Sequence, residues 1–84
     1  MLFHPSEQAW QLLTAERARG GAEYAILWGN LREIVTDPDR GEPTKLAGAE
    51  PGDRAHRCDR WRLIYGRAED GTIELRRIVK LIAF

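Results

Sequence analysis

Hydrophobic residues along the chain follow two rhythms. Up to Val35 they recur at helical spacing, and from Trp61 onward they alternate. Pro5 and Ser6 read as a helix entry, with Glu7 in the first turn where a carboxylate suits the helix dipole. Ala9, Trp10, Leu12 and Leu13 carry that helix to a break at Gly20-Gly21. Beyond the break, Tyr24, Leu27, Trp28, Leu31, Ile34 and Val35 form a continuous stripe at the 3.6-residue period. Two helices joined by a pair of glycines predict an antiparallel helical hairpin. Trp10 and Trp28 belong to the apolar stripes and are read as core residues, as is Trp61.

Met1–His4 is an apolar start suited to a short strand. Residues 36–43 hold two prolines and a glycine, which forbid either ladder and predict a loop. Trp61, Leu63 and Tyr65 alternate with Arg60, Arg62 and Ile64, which is strand behaviour. Asp70-Gly71 is the preferred hairpin dipeptide, and Ile73, Leu75 and the run from Ile78 to Ala83 supply a further long strand. The expected class is α+β, a single domain over residues 1–84. An N-terminal short strand and a two-helix hairpin would pack on an antiparallel sheet of three to four strands.

Strand parity then makes a local statement about charge. If residues 55–58 pair with 61–65 through a turn at Asp59-Arg60, Cys58 faces Trp61 and Arg57 faces Arg62. A second hairpin with Asp70-Gly71 at its tip pairs Ile64 with Arg77 and Arg62 with Val79. One face collects Cys58, Trp61, Leu63, Tyr65 and Ile78 for the helices to cover. The other gathers Arg57, Arg62 and Arg77, together with Ile64, Ile73, Leu75 and Val79. Like charges opposed at roughly 5 Å are destabilising, so an anionic ligand is one expectation for that face. An apolar peptide is another, and neutralisation by Asp53 or Glu74 is the plainer one.

Composition narrows the class. Eighty-four residues allow one small domain with a thin core, which oligomerisation or a partner would help. A charged fraction of 31% without Ser- or Gln-rich tracts argues against disorder. No apolar run reaches the ~18 residues of a membrane span, and the N-terminus lacks the order of a signal peptide. The expected setting is cytoplasmic, without membrane association. Cys58 is the single cysteine, which excludes an internal disulfide and any multi-cysteine metal site. Net charge is zero, yet residues 1–44 hold four basic against seven acidic side chains, and residues 45–84 hold nine against six. The basic half is the half that forms the sheet.

These segments, in this order, resemble the RelE/ParE family of toxins from bacterial type II toxin–antitoxin modules. Leu2-Phe3-His4-Pro5 with Ala9 and Leu13 resembles the family's opening strand and helix start. Asp37-Pro38 followed by Thr44-Lys45-Leu46-Ala47-Gly48 resembles its post-helix loop and Lys-Leu-x-Gly turn. The run from Arg57 to Tyr65 is similar to its basic strand, tight turn and Arg-hydrophobic-hydrophobic-Tyr signature, and Ile73–Val79 fills the place of its last long strand. The resemblance covers nearly the whole chain. It implies a RelE-like endoribonuclease that cleaves messenger RNA on the ribosome and inhibits translation, without metal or cofactor. It places Arg57 and Arg62 as catalytic groups that orient the 2′-hydroxyl and stabilise charge on the phosphate. Lys45, Arg77 and Lys80 would bind nucleic acid. The family's other basic strand position is matched by Ala55. Its Arg or His after the last strand is matched by Lys80 followed by Leu81, and the chain ends at Phe84 where RelE-like members carry a terminal Tyr.

The implied partners are a cognate antitoxin, the ribosome and its mRNA, with a homo-oligomer or a toxin–antitoxin hetero-oligomer as the assembly. The alternatives are a ParE-like inhibitor of DNA gyrase and an inactive interaction module that keeps only the fold. His56 has the pKa of a general base, but parity points it away from the arginines, so a structural or edge role is expected. His4 reads as a helix-entry residue and Cys58 as a core side chain.

Overall fold

The computed structural model of the protein describes residues 3–44 and 50–81. Lys45 and the rest of the Lys-Leu-x-Gly turn, and the C-terminal end at Phe84, lie outside them. The elements are β1 (Phe3–Pro5), α1 (Glu7–Ala18), α2 (Ala22–Thr36), β2 (Glu42–Pro43), β3 (Arg54–Cys58), β4 (Trp61–Arg67) and β5 (Ile73–Lys80). They build an α+β domain in which two helices cover one face of a five-stranded sheet of order β1-β5-β4-β3-β2. No helix among the described residues is long and apolar enough to cross a membrane.

Two features correct the expected sheet. The N-terminal strand joins it parallel to β5, pairing Phe3 with Ile73 and Pro5 with Leu75, so the sheet is mixed. Glu42–Pro43, expected as loop, pairs with Arg54 and Ala55 as a two-residue edge strand. The Thr44 N–H donates to Asp53 O across the same ladder (3.3 Å), which leaves Pro43, lacking an N–H, turned to the solvent side where a proline is tolerated.

Ser6 caps α1, its hydroxyl accepting from the Ala9 N–H (3.2 Å) and donating to Arg76 O (2.6 Å). Gln8 then takes over the β5 edge where β1 stops. Its side-chain amide donates to Ile78 O (3.0 Å) and accepts from Ile78 N–H (3.1 Å), as a neighbouring strand would. Gly20 and Gly21 turn the chain between the helices with φ of 116° and 89°, a region other residues resist.

The helix-covered core holds Ala9, Leu13, Leu27, Leu31 and Ile34 against Cys58, Trp61, Leu63, Tyr65, Ile73, Leu75 and Ile78. Ile73 and Leu75 therefore lie opposite to the face expected of them. The β4–β5 register shifts between Ile64 and Tyr65, so Ile64 faces Arg77 while Tyr65 faces Leu75, and Arg76 is the extra residue of a bulge. That bulge reverses the parity of β5. Trp10 and Trp28 are also not core, at 61% and 42% exposed. Trp10 sits one position from Ala9, about 100° round the helix from the buried line through Leu13. Trp28 packs at the rim of its stripe, stacked on Tyr24 and edge-on to Phe3.

Candidate nucleic-acid interface

The turn at Asp59-Arg60, with Asp59 at φ 53°, sets Cys58 opposite Trp61 and Arg57 opposite Arg62. Arg62 pairs on its other side with Val79, and Ile64 pairs with Arg77. Arg57, Arg62 and Arg77 thus share the sheet face that the helices leave uncovered. Ile64 lies beneath them, fully buried yet outside the helix-side core.

Arg62 is aimed by its own turn, one guanidinium nitrogen donating to Asp59 O (3.1 Å) and Trp61 O (2.9 Å). Arg57 and Arg77 are exposed. Among the described residues none of the three has an ion-pair partner. The carboxylates that could have neutralised them are engaged by Arg76. Its Nε donates to Asp53 (2.8 Å), and its terminal nitrogens lie 3.1 Å from Glu74 and 3.3 Å from Glu50. Burial works against the Arg76 charge, but the hydrogen bond and charge of Asp53, aided by Glu50 and Glu74, hold its pKa above the ordinary value. A Cβ on Gly66 would collide with Asp53 and Arg76, so glycine there is what lets this pair lie flat on the sheet. The open face is consequently divided, with Arg76 and its three carboxylates at the Gly66 end and, at the other, three guanidiniums with no ion-pair partner among the described residues.

Lys80 does not join them. It pairs with Trp61 in register, its ammonium 5.1 Å from the centre of the indole ring on the helix side. His4 is an exposed residue of β1. Cys58 is buried and its thiol is pushed up, chiefly by burial, so it stays protonated. Tyr65 is buried in the core, its hydroxyl donating to Pro38 O (2.6 Å) and accepting from the Gly41 N–H (3.0 Å). A Cβ on Gly41 would press on that hydroxyl at 2.5 Å.

Sequence reasoning missed a polar concavity of about 280 Å³ beside this face, lined by residues that include Asn30, Glu33, Arg40, His56 and Arg57. β2 pairs only with Arg54 and Ala55, so the edge of β3 is uncovered by a strand from His56 onward. Arg57 therefore borders both the open face and the concavity. His56 is 7% exposed and Nε2 lies 2.8 Å from Asn30 Oδ1 and 3.5 Å from Glu33. Burial lowers its pKa, Glu33 opposes the shift and Arg40 adds to it. No protein-family model matches the chain, and no curated protein is significantly similar to it.

Proposed function

We propose that this protein is the toxin of a toxin–antitoxin module, acting as a RelE-like, ribosome-dependent endoribonuclease on messenger RNA in the cytoplasm. The observation that carries this reading is the guanidinium set of Arg57, Arg62 and Arg77, collected on one open face with no ion-pair partner among the described residues. Like charges held together cost stability, and an RNA phosphate offsets that cost by accepting charge-assisted hydrogen bonds. Arg62 is anchored at one nitrogen and keeps its remaining donors for the scissile phosphate, where negative charge grows as the 2′-oxygen attacks. Arg57, directly opposite, closes the other side of the phosphate, and Arg77 holds the neighbouring one. Lys80 lies on the other face and Lys45 lies outside the described residues, so the proposal rests on neither.

A second reading, a ParE-like protein that binds DNA gyrase, draws on a different feature. Trp28 is exposed on α2 and lines an apolar hollow of about 350 Å³ with Phe3, Leu31 and Val35. Such a surface suits a protein partner, the antitoxin or a target enzyme. Induced expression separates the two. The nuclease reading expects growth arrest with fragmented transcripts, and Arg62→Ala restoring both growth and transcripts while remaining folded. Arrest with intact transcripts and an induced DNA-damage response would replace it with the second reading.

A further inference from the structure

His56 has a bonding pattern that a purely structural residue does not need. The Asn30 amide nitrogen donates to Ile26 O (2.8 Å), a carbonyl that only accepts, so the amide oxygen is the atom turned to His56. That oxygen also only accepts, so Nε2 carries the imidazole proton. Nδ1 therefore holds the lone pair. It has no hydrogen-bond partner among the described residues, and no buried side-chain nitrogen or oxygen is left unpaired, so Nδ1 reaches solvent. The open space beside the ring is the concavity that His56 and Arg57 both line.

We propose that His56 is the general base of this site: at the β3 edge that no strand among the described residues covers from His56 onward, an RNA strand passes from the arginine face, where its phosphate rests on Arg57, into the concavity on the helix side, where Nδ1 takes the 2′-hydroxyl proton. This rests on the nuclease reading above and supplies the proton acceptor that the arginines cannot be. In the step, the 2′-O–H bond breaks and its proton moves to Nδ1 while the 2′-oxygen bonds to phosphorus. The phosphorus–O5′ bond breaks, and the leaving 5′-oxygen takes a proton from water, giving a 2′,3′-cyclic phosphate and a 5′-hydroxyl. His56 then returns its proton to solvent. The imidazolium formed in between is received by Asn30 Oδ1 at 2.8 Å and by the Glu33 carboxylate at 3.5 Å. Asn30 is thus a positioning residue, fixing the tautomer as a buried carboxylate does in other bases. The charged groups around the ring are Glu33 from α2, Arg40 and Glu42 from the segment that follows it, and Arg57 from β3. Burial keeps the ring neutral near pH 7, which a base requires.

The test uses the full chain with ribosomes programmed with a defined mRNA. His56→Gln keeps a donor for Asn30 but has no nitrogen that accepts a proton. It is expected to lower the cleavage rate by about 100-fold or more while RNA-bound affinity changes less than about threefold. Asn30→Asp places a carboxylate on Nε2 and is expected to move the acidic limb of the pH–rate profile up by about 1 pH unit or more. Cleavage by His56→Gln within about threefold of wild type overturns the assignment and leaves the nuclease reading standing. A wild-type protein that cleaves nothing overturns both. Should His56→Gln fail to fold, the wild-type acidic limb is compared with the His56 pKa measured by NMR on the same ribosome complex. A limb that does not coincide with it overturns the assignment.

Discussion

Replacing Arg57 by Gln is expected to stabilise the fold while weakening its grip on RNA. Arg57 and Arg62 are direct cross-strand partners, and among the described residues no carboxylate bridges them. Two charges about 6 Å apart repel by about 0.7 kcal/mol in water and about 3 kcal/mol at an effective dielectric of 20. Arg57 is exposed, so the lower end applies. A gain of about 0.5–1 kcal/mol raises the midpoint of a domain this size by about 3–6 °C. Thermal melts of wild type and Arg57→Gln measure it, and the gain should shrink as salt rises from about 0.05 to 0.5 M because the repulsion is screened. Binding to single-stranded RNA should weaken in parallel, with the salt dependence of log K falling by about 0.7 for one lost phosphate contact. A destabilised Arg57→Gln, or a gain indifferent to salt, would refute the reasoning, because it would mean that Arg57 already has a partner.

The Arg76 end of the same face should respond in the opposite sense. Asp53→Ala removes a carboxylate that is 3% exposed and accepts from both Arg76 Nε and the Glu50 amide, and is expected to cost about 3 kcal/mol, read by urea melts; a loss under about 1 kcal/mol would show that Glu74 and Glu50 alone hold Arg76. His56 makes stability depend on pH in a definite direction. Its folded pKa lies below 6.5, so the unfolded chain binds the proton first as pH falls. Stability is full above about 6.5, declines as pH falls from there toward the folded pKa, and levels off below it. Melting midpoints of wild type and His56→Gln should converge as pH falls through that window, and parallel curves would remove His56 from the account. Gly20→Ala meets no atom but must adopt a φ of 116°, so it should cost about 1 kcal/mol or more through the backbone alone. A neutral effect would mean that the turn rearranges.

Much of the sheet was legible because its turns are spelled out. Asp59-Arg60 fixes the pairing of Arg57 with Arg62, as observed. A two-residue turn at Asp70-Gly71 would set Arg67 opposite Glu74, but Arg67 faces Ile73, and Ile64 meets Arg77 as expected only because the bulge at Arg76 cancels that one-residue offset. The bulge at Arg76 was not read, although Leu75-Arg76-Arg77-Ile78 interrupts the alternation with two polar residues in a row. That interruption is the physical signal of an extra residue, and it turns Ile73 and Leu75 to the core while keeping Arg77 outside. Trp10 and Trp28 misled because a helical stripe has a rim, where spacing alone does not distinguish buried from half-covered. The parallel partner of β1 and the Gln8 pairing to Ile78 depend on contacts seventy residues apart, which no local pattern encodes. Parity placed His56 on the helix side, as observed, but gave no hint that Asn30 would hold it at the edge beside Arg57.

The central claim is that the arginine face cuts RNA. Ribosomes paused on a defined message, incubated with wild type or Arg62→Ala, and mapped by primer extension test it most directly. The account expects new ends within the codon being decoded for the wild type, and none for an Arg62→Ala protein of unchanged circular dichroism. Intact message with wild type, or equal cleavage by both proteins, would contradict it.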